Sequence, residues 1–321
     1  MTPTPLLTIV VPACNAAPWL PQCLACVAAL DPAASEIIVV DDASVDDTPT
    51  ILAEFSRHHP ALRTIRLDAR SGAAEARNRG LDAARGRYLA FVDADDFFRP
   101  DRFRDALAAA EQGQLDLVFL NATFHYEGRK AEHPVFGQPH PKEIMAGGDW
   151  LKSLLAVEAL HHAVWLHLYR TDWLHHTGLR FPAANSNEDV IWTTEVLLQA
   201  RRMRYLPDTG YFYRISPRIF DQATIQTRLE FVIRSSIANA KRLSELAAAE
   251  SDVDLRALLT AQLVDGALQI FHKLKKMPDR HKARQELTSL RKTGFLAFLW
   301  RHARHWPAKR RILRNWLLSW A

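Results

Sequence analysis

Tyr88-Leu89-Ala90-Phe91-Val92-Asp93-Ala94-Asp95-Asp96 is the stretch that decides the fold. Tyr88 to Val92 has no charged residue, as expected of a strand covered on both faces, and such strands belong to parallel sheets flanked by helices. The strand runs directly into Asp93, Asp95 and Asp96. Upstream, Thr8 to Ala13 reads as another buried strand, followed by Leu20, Leu24, Val27 and Leu30 at helical spacing, with Pro18 and Pro21 near the helix start. Glu36 to Val40 is a second strand ending in Asp41-Asp42. Asp46-Asp47-Thr48-Pro49 then offers capping side chains before Ile51, Leu52 and Phe55. Leu62 to Leu67 gives a third strand, and an Ala-rich helix carrying Leu81 and Ala84 is expected to close at Gly86. Downstream, Pro100 to Ala110 reads as a helix and Leu115 to Leu120 as a strand. Repeated β and α elements of this kind predict an α/β, open, doubly wound sheet. Sheets of this class bind ligands beyond the carboxyl ends of their strands, where the order of strands reverses. Two of those ends carry acids here, Asp41-Asp42 and Asp93 to Asp96.

The composition fits such a domain. The chain has 321 residues, 48% hydrophobic and 24% charged, which excludes a disordered or fibrous protein and any disulfide-stapled mini-domain. Its three cysteines, Cys14, Cys23 and Cys26, fit neither a disulfide framework nor a four-ligand zinc site, and the last two lie in a helical pattern that explains them as packing. No stretch resembles a signal peptide or is long and apolar enough to span a bilayer, so the reading is cytoplasmic. The net charge of +5 is a property of the tail: Arg291 to Ala321 holds eight Lys/Arg and no acid, leaving 33 basic and 36 acidic residues elsewhere. A slightly acidic body argues against nucleic acid as a partner.

After about residue 125 the pattern changes. A connector rich in Pro, Gly and His runs from His133 to Gly148. Ile225 to Lys276 then reads as mainly helical, with Phe231, Ile237, Leu243, Leu255, Leu259, Leu263, Leu268 and Phe271 as core positions. The expected division is residues 1–220 and a helical C-terminal region, 221–321. From Phe295 the tail combines four tryptophans with Arg301, Arg304, Lys309, Arg310, Arg311 and Arg314, and places Ile312, Leu313, Trp316, Leu317 and Trp320 on one helical face. A basic helix with an apolar, Trp-bearing side suits an anionic membrane surface. The alternative is a terminal helix packed on the body or on a second subunit, as in a homodimer.

The chemistry follows from Asp93-Ala94-Asp95. Two carboxylates at this spacing, offered from a strand end, can hold a divalent cation that also accepts phosphate oxygens, and hard oxygen donors favour Mn²⁺ or Mg²⁺. Four blocks in order then resemble the family-2 glycosyltransferases: Thr8 to Asn15, Ile37 to Ser44, Ala76-Arg77-Asn78-Arg79-Gly80, and Gly86 to Asp96. A fifth run, from Ala163-Val164-Trp165 through Leu168-Tyr169-Arg170 and Gly178 to Pro182 up to Asn187-Glu188-Asp189, is similar to the segment carrying that family's acidic pair.

The resemblance implies a GT-A fold with a mixed sheet and a site for a nucleotide-sugar donor at Pro12, Ala13, Asn15, Asp42, Arg77, Asp93, Ala94 and Arg214. Asp42 would bind the base and Asp93 the ribose. Asp95, with Asp93, would hold the metal on the diphosphate, and Arg77 would steady the acids or the diphosphate. Asp189 would act as general base in a single inverting displacement, supported by Glu188. Tyr211-Phe212-Tyr213-Arg214 resembles the family's aromatic-Arg segment, whose Arg reaches the diphosphate; strand alternation explains it equally. Where the family often carries an aromatic residue before the first-loop Asn, this chain has Cys14, so stacking on the base is lost there. UDP-sugars are the first expectation for the donor, and a bacterial envelope glycan, such as lipopolysaccharide, capsule or exopolysaccharide, for the acceptor, free or lipid-linked. His161, His162, Trp165 and His167 are either acceptor-lining or packing residues. The rival readings are a sugar nucleotidyltransferase, which usually has a Gly-rich first loop where this chain has Pro12-Ala13-Cys14-Asn15, and a catalytically silent nucleotide-binding protein on a membrane surface.

Overall fold

The computed structural model describes residues 4–31, 33–128, 132–137, 140–183, 185–215 and 222–319. It divides into two compact units. The first comprises Met1–Leu151, His161–Ala184 and Trp192–Pro217, and the second Lys152–Leu160, Asn185–Ile191 and Arg218–Ala321. The expected boundary between residues 220 and 221 lies outside the described residues.

The first unit begins with β1 (Leu7–Ala13), α1 (Leu20–Ala28), β2 (Ser35–Asp41), α2 (Thr48–His58), β3 (Leu62–Arg66), α3 (Ala73–Ala83), β4 (Tyr88–Phe91) and β5 (Phe97–Phe98). It continues with α4 (Asp101–Gly113), β6 (Leu117–Leu120), β7 (Thr123–Tyr126), β8 (Glu132–Pro134), α5 (Gly147–Ala156), β9 (His167–Arg170), α6 (Thr171–Thr177), α7 (Glu188–Gln199), β10 (Met203–Leu206) and β11 (Tyr211–Ile215). The C-terminal half of α5 and the first turn of α7 group with the second unit. Seven strands form the main sheet in the order β10-β6-β9-β4-β1-β2-β3. β9 is antiparallel to both its neighbours and the other pairings are parallel, so the doubly wound sheet is mixed. β1 pairs with β2 on one side and β4 on the other, and this is where the strand order reverses. The loops after Ala13 and Phe91 therefore open on the crevice where such sheets bind ligands. Ile9, Val10 and Val11 are completely buried, each contributing roughly 1.5–3 kcal/mol relative to exposure. A second sheet, β5-β11-β7-β8, brings Phe97-Phe98 beside Tyr211 and Phe212.

Several local expectations need correction. Leu62 to Leu67 is a strand only to Arg66, and it is the half-exposed edge of the sheet. Asp47 occupies the N-cap of α2 but its side chain makes no capping bond; Asp46 accepts from the Thr48 amide instead. Gly86 does not stop α3, which ends at Ala83. A Cβ at Gly86 would lie 2.5 Å from the Thr8 amide nitrogen and 2.7 Å from the Leu7 carbonyl carbon, so the glycine lets the chain pass close to β1. Because the obstruction is backbone of a buried strand, Gly86→Ala should lower stability by about 3 kcal/mol, read from chemical unfolding. An unchanged midpoint would contradict this account.

His167, expected either in an acceptor site or in packing, is packing. It is fully buried, and its Nδ1 lies 3.0 Å from the Tyr169 hydroxyl, which in turn accepts from Trp192 Nε1 at 2.9 Å. Burial disfavours the imidazolium and holds its pKa down to about 3. Between its ordinary 6.5 and about 3 the unfolded chain takes up a proton that the native state refuses, so stability falls as pH drops through that window, by up to roughly 5 kcal/mol. His167→Gln, which cannot titrate, should flatten this slope in thermal unfolding followed against pH.

The second unit contains α8 (Gln222–Ala249), α9 (Val253–Lys276), α10 (Arg280–Lys292), α11 (Phe295–His302) and α12 (Trp306–Leu318). Leu263, Ala267, Ile270, Phe271 and Leu274 form a buried stripe of α9 and share a core with Ile233, Ala240 and Leu243 of α8. Asp252 caps α9 by accepting from the amides of Asp254 and Leu255, and Asp279 caps α10 through the Lys282 amide. Of the expected core residues, Phe231 is 37% exposed and Ile237 is half-buried. The single apolar face expected for the tail is also split. Ile312 and Trp316 pack into this unit's own core, whereas Leu313 and Leu317 point outward. Trp320 lies outside the described residues.

Candidate functional site

The loops after β1 and β2 are knitted together before any ligand is considered. The Asp42 amide donates to the Ala13 carbonyl at 2.8 Å, and the Cys14 thiol to the Asp42 carbonyl at 3.4 Å. The Asn15 amide donates to Ser44 Oγ, while Asn15 Oδ1 accepts from the Val45 amide, both at 2.9 Å. The Ala16 and Ala17 amides are met by Thr48 Oγ1 and Asp46 Oδ2. Asn15 and Ala43 adopt left-handed backbone conformations, at φ 49° and 50°. For alanine that geometry is costly, and it persists because this cross-linking holds it. Pro12 and Ala13 end β1 and place the Asn15 loop over the switch point.

Asp42, expected to bind a base, is buried at the end of β2, and its carboxylate accepts from the Ser71 amide at 2.6 Å and the Gly72 amide at 2.8 Å. It therefore shapes the loop between β3 and α3. Asp41 is buried beside it, bonded to the Ser44 amide and to the Arg66 guanidinium.

The acids after β4 are divided by partner. Arg77, projecting from α3 and almost buried, donates from Nη2 to Asp93 Oδ1 at 2.8 Å and lies over the Phe181 ring. Ala94 is buried between Asp93 and Asp95. Asp96 turns inward, away from the pattern of its neighbours: it is buried, and its carboxylate accepts from the Tyr211 hydroxyl at 2.6 Å and the Arg214 amide at 2.7 Å. The same hydroxyl accepts from the Asp93 amide at 3.1 Å. Burial, followed by the field of Asp93, pushes the Asp96 carboxyl well above the ordinary carboxylate range, and Asp95 adds to the effect.

Arg214, expected at a diphosphate, is bonded to the loop. Its Nε donates to the Asp95 carbonyl at 2.7 Å, one terminal nitrogen pairs with Glu127 at 2.8 Å, the other binds Gln22, and the guanidinium lies over Phe97. This four-way anchoring fixes the backbone of Asp95 from beneath. Trp165 stacks on Tyr211 at 4.7 Å and on Tyr213 at 5.3 Å, so it supports the Asp96 partner. Sequence reasoning missed Asp96–Tyr211 and the Ser44–Asn15 exchange. The residues stood inside the quoted motifs, but pairing across 115 positions leaves no periodic signal.

In the second unit, Glu188 and Asp189 open α7, with Glu188 buried. The preceding loop is pinned to α8. The Ser186 amide donates to Ser235 Oγ at 3.0 Å, the Asn187 carbonyl accepts from Asn239 Nδ2 at 2.9 Å, and Asn185 bonds the same Asn239 side chain. Ser235 and Asn239 are both buried, which makes this a built support for the start of the helix.

Residues 8–156 match the family model described as Glycosyl transferase family 2. The chain carries a family-2 glycosyltransferase domain. Among its relatives is the uncharacterized glycosyltransferase YibD of Escherichia coli, 31% identical over 66% of this chain and 62% of YibD. The poly(ribitol-phosphate) β-N-acetylglucosaminyltransferase TarS of Staphylococcus aureus is 27% identical over 64% of this chain and 35% of TarS. The chain spans less than two thirds of the length of these curated relatives. Residues 1–349 of TarS in complex with UDP share the fold at a TM-score of 0.59, with 20% identity over 98% of this chain and 90% of that one. The mannosyltransferase PcManGT of Pyrobaculum calidifontis, in complex with GDP-Man and Mn²⁺, does so at 0.57, with 20% identity over 99% and 88%. The family-2 domain has the GT-A fold, and its acids stand at the switch point of that fold's sheet.

Proposed function

We propose that this family-2 chain is an inverting hexosyltransferase that moves a sugar from a nucleotide-diphosphate sugar, with a UDP-sugar first, to a hydroxyl of a bacterial envelope glycan. The observation that carries the reading is Asp93-Ala94-Asp95 at the switch point, with Arg77 bonded to Asp93. In this reading Asn15, Ala13 and Pro12 line the nucleoside end, Asp42 holds the loop against which the base lies, and Asp93 meets the ribose.

Asp93 and Asp95 suit a divalent cation. Their donors are hard oxygens offered from one strand end, and a cation such as Mn²⁺ or Mg²⁺ usually takes one or two carboxylates and completes its shell with substrate phosphates and water. Bound there, the cation would neutralise charge on the departing nucleoside diphosphate. Arg77 orients Asp93, and Arg214 holds the Asp95 backbone. Asp189 takes the proton of the acceptor hydroxyl as its oxygen bonds to the anomeric carbon. The bond from that carbon to the diphosphate oxygen breaks with its electron pair on the leaving group, and Glu188 supports the base.

The name of TarS gives poly(ribitol-phosphate), a polymer, as its acceptor, which favours a polymeric glycan, free or lipid-linked, over a soluble small acceptor. We place the chain on the cytoplasmic face of an anionic membrane through its basic tail. No helix among the described residues is long and apolar enough to cross one. The test of the donor reading is a thermal-shift panel of UDP, GDP, dTDP, CDP and their sugars with and without Mn²⁺. A ligand that binds the native state raises its melting temperature by mass action. A metal-dependent shift for one nucleotide supports the transferase and names its donor class; no shift with any of them overturns it.

A further inference from the structure

Within the second unit, α9 and α12 line an open cavity of about 520 Å³. Its lining includes Lys275, Trp306, Arg310, Arg311 and Arg314, and no acid. We propose that this cavity binds the phosphate of an anionic lipid headgroup. The inference rests on the membrane-surface part of the proposed function and assigns it a defined site.

Three observations carry it. First, four cations converge on one concavity without an ion-pair partner for any of them among the described residues. Asp265 of α9 lies within the field of Arg311 but does not line the cavity. Like charges held together repel one another, and a phosphate relieves that repulsion. Arginine forks match its oxygens with paired, charge-assisted hydrogen bonds.

Second, the platform is rigid on its inner side. Ile312 is completely buried, Asn315 is buried with its Nδ2 donating to the Arg311 carbonyl at 2.8 Å, and Trp316 packs on the unit's core. The cations are therefore presented from a fixed helix.

Third, the outward strip of the same helix is apolar beside the cavity. Trp306 is 64% exposed and Leu317 66%, with Leu313 and Leu318 also exposed. Positions 306, 310, 313 and 317 follow one another at helical spacing, so Arg310 stands in line with Trp306, Leu313 and Leu317. A site for a soluble anion gives no reason for that strip. A headgroup does, because its acyl chains lie where the strip would insert.

The test uses the full chain and sedimentation with vesicles of phosphatidylcholine, with or without phosphatidylglycerol. Lys275→Gln with Arg314→Gln removes two cavity charges, and Arg301→Gln with Arg304→Gln removes two exposed tail charges outside it. The cavity pair should lose about tenfold more affinity for the anionic vesicles than the control pair, since diffuse attraction weakens equally in both. The single Lys275→Gln, on an exposed side chain, reports the same effect if the double variant is poorly folded. Equal losses would overturn the site while leaving membrane binding by the tail standing. Absence of wild-type binding to anionic vesicles would overturn both. Inorganic phosphate binding as tightly as the vesicles would make this a site for a free anion and overturn the lipid assignment.

Discussion

Asp95→Ala should remove the metal-dependent part of nucleotide binding and lower transfer by about 10³-fold or more, because a cation on the diphosphate supplies several kcal/mol of charge stabilisation at the departing oxygen. Asp95 is the acid assigned to the cation, and its neighbours have duties of their own. Asp93 is bonded to Arg77 at 2.8 Å, and Asp96 faces inward to Tyr211 and the Arg214 amide. The Asp95 backbone is clamped by Arg214, so removing the side chain leaves the loop in place. The unfolding midpoint should accordingly change little, which separates lost chemistry from lost structure. The measurement is turnover of a radiolabelled donor across a Mn²⁺ titration, alongside the donor-induced thermal shift. A variant that kept wild-type turnover, with a shift still sensitive to chelator, would place the metal elsewhere. Arg77→Met is the companion experiment: with Asp93 no longer oriented, donor affinity should fall more than turnover at saturation.

What could be read from the residues alone divides along physical lines. Buried parallel strands advertise themselves as short apolar runs, which is why β1, β2 and β4 stand where expected and why the acids at their ends mark the switch point. The edge strand β3 was harder to delimit, since half-exposed residues carry no continuous run. β9 is the antiparallel insertion that makes the sheet mixed. Its His167-Leu168-Tyr169-Arg170 has a histidine and an arginine that periodicity alone would leave as loop. Side-chain duties were least legible. Arg214 and Asp42 were both expected to face a ligand, and their polar groups are largely engaged in holding loops. Such pairings depend on which distant segments meet, and nothing local in the sequence records that. The tail shows the same limit. Helical spacing put Ile312 and Leu317 on one apolar face, but only the packed unit reveals that one is buried in it and the other is exposed.

The second large effect concerns Asp189. Asp189→Asn should leave donor affinity within about twofold of wild type and lower turnover by about 10³-fold, within the range of 10² to 10⁴ contributed by a positioned general base. The substitution keeps size and hydrogen-bonding capacity while removing the ability to accept a proton, so a loss confined to the chemical step is the signature expected. Support for the start of α7 should then matter in a different way. Asn239 holds the Asn187 carbonyl and Asn185 through one buried side chain, and Ser235 holds the Ser186 amide. Asn239→Ala removes no proton acceptor from the reaction but frees the loop that aims one. Turnover should drop by about tenfold with the pH dependence of the rate unchanged, because a misplaced base keeps its own titration. Asp189→Asn, by contrast, should abolish the limb of the pH profile that reports the base. If Asp189→Asn turned over donor at the wild-type rate, or if its profile kept that limb, the proton would have to leave through another residue. Glu188, buried at the same helix start, would be the next to substitute.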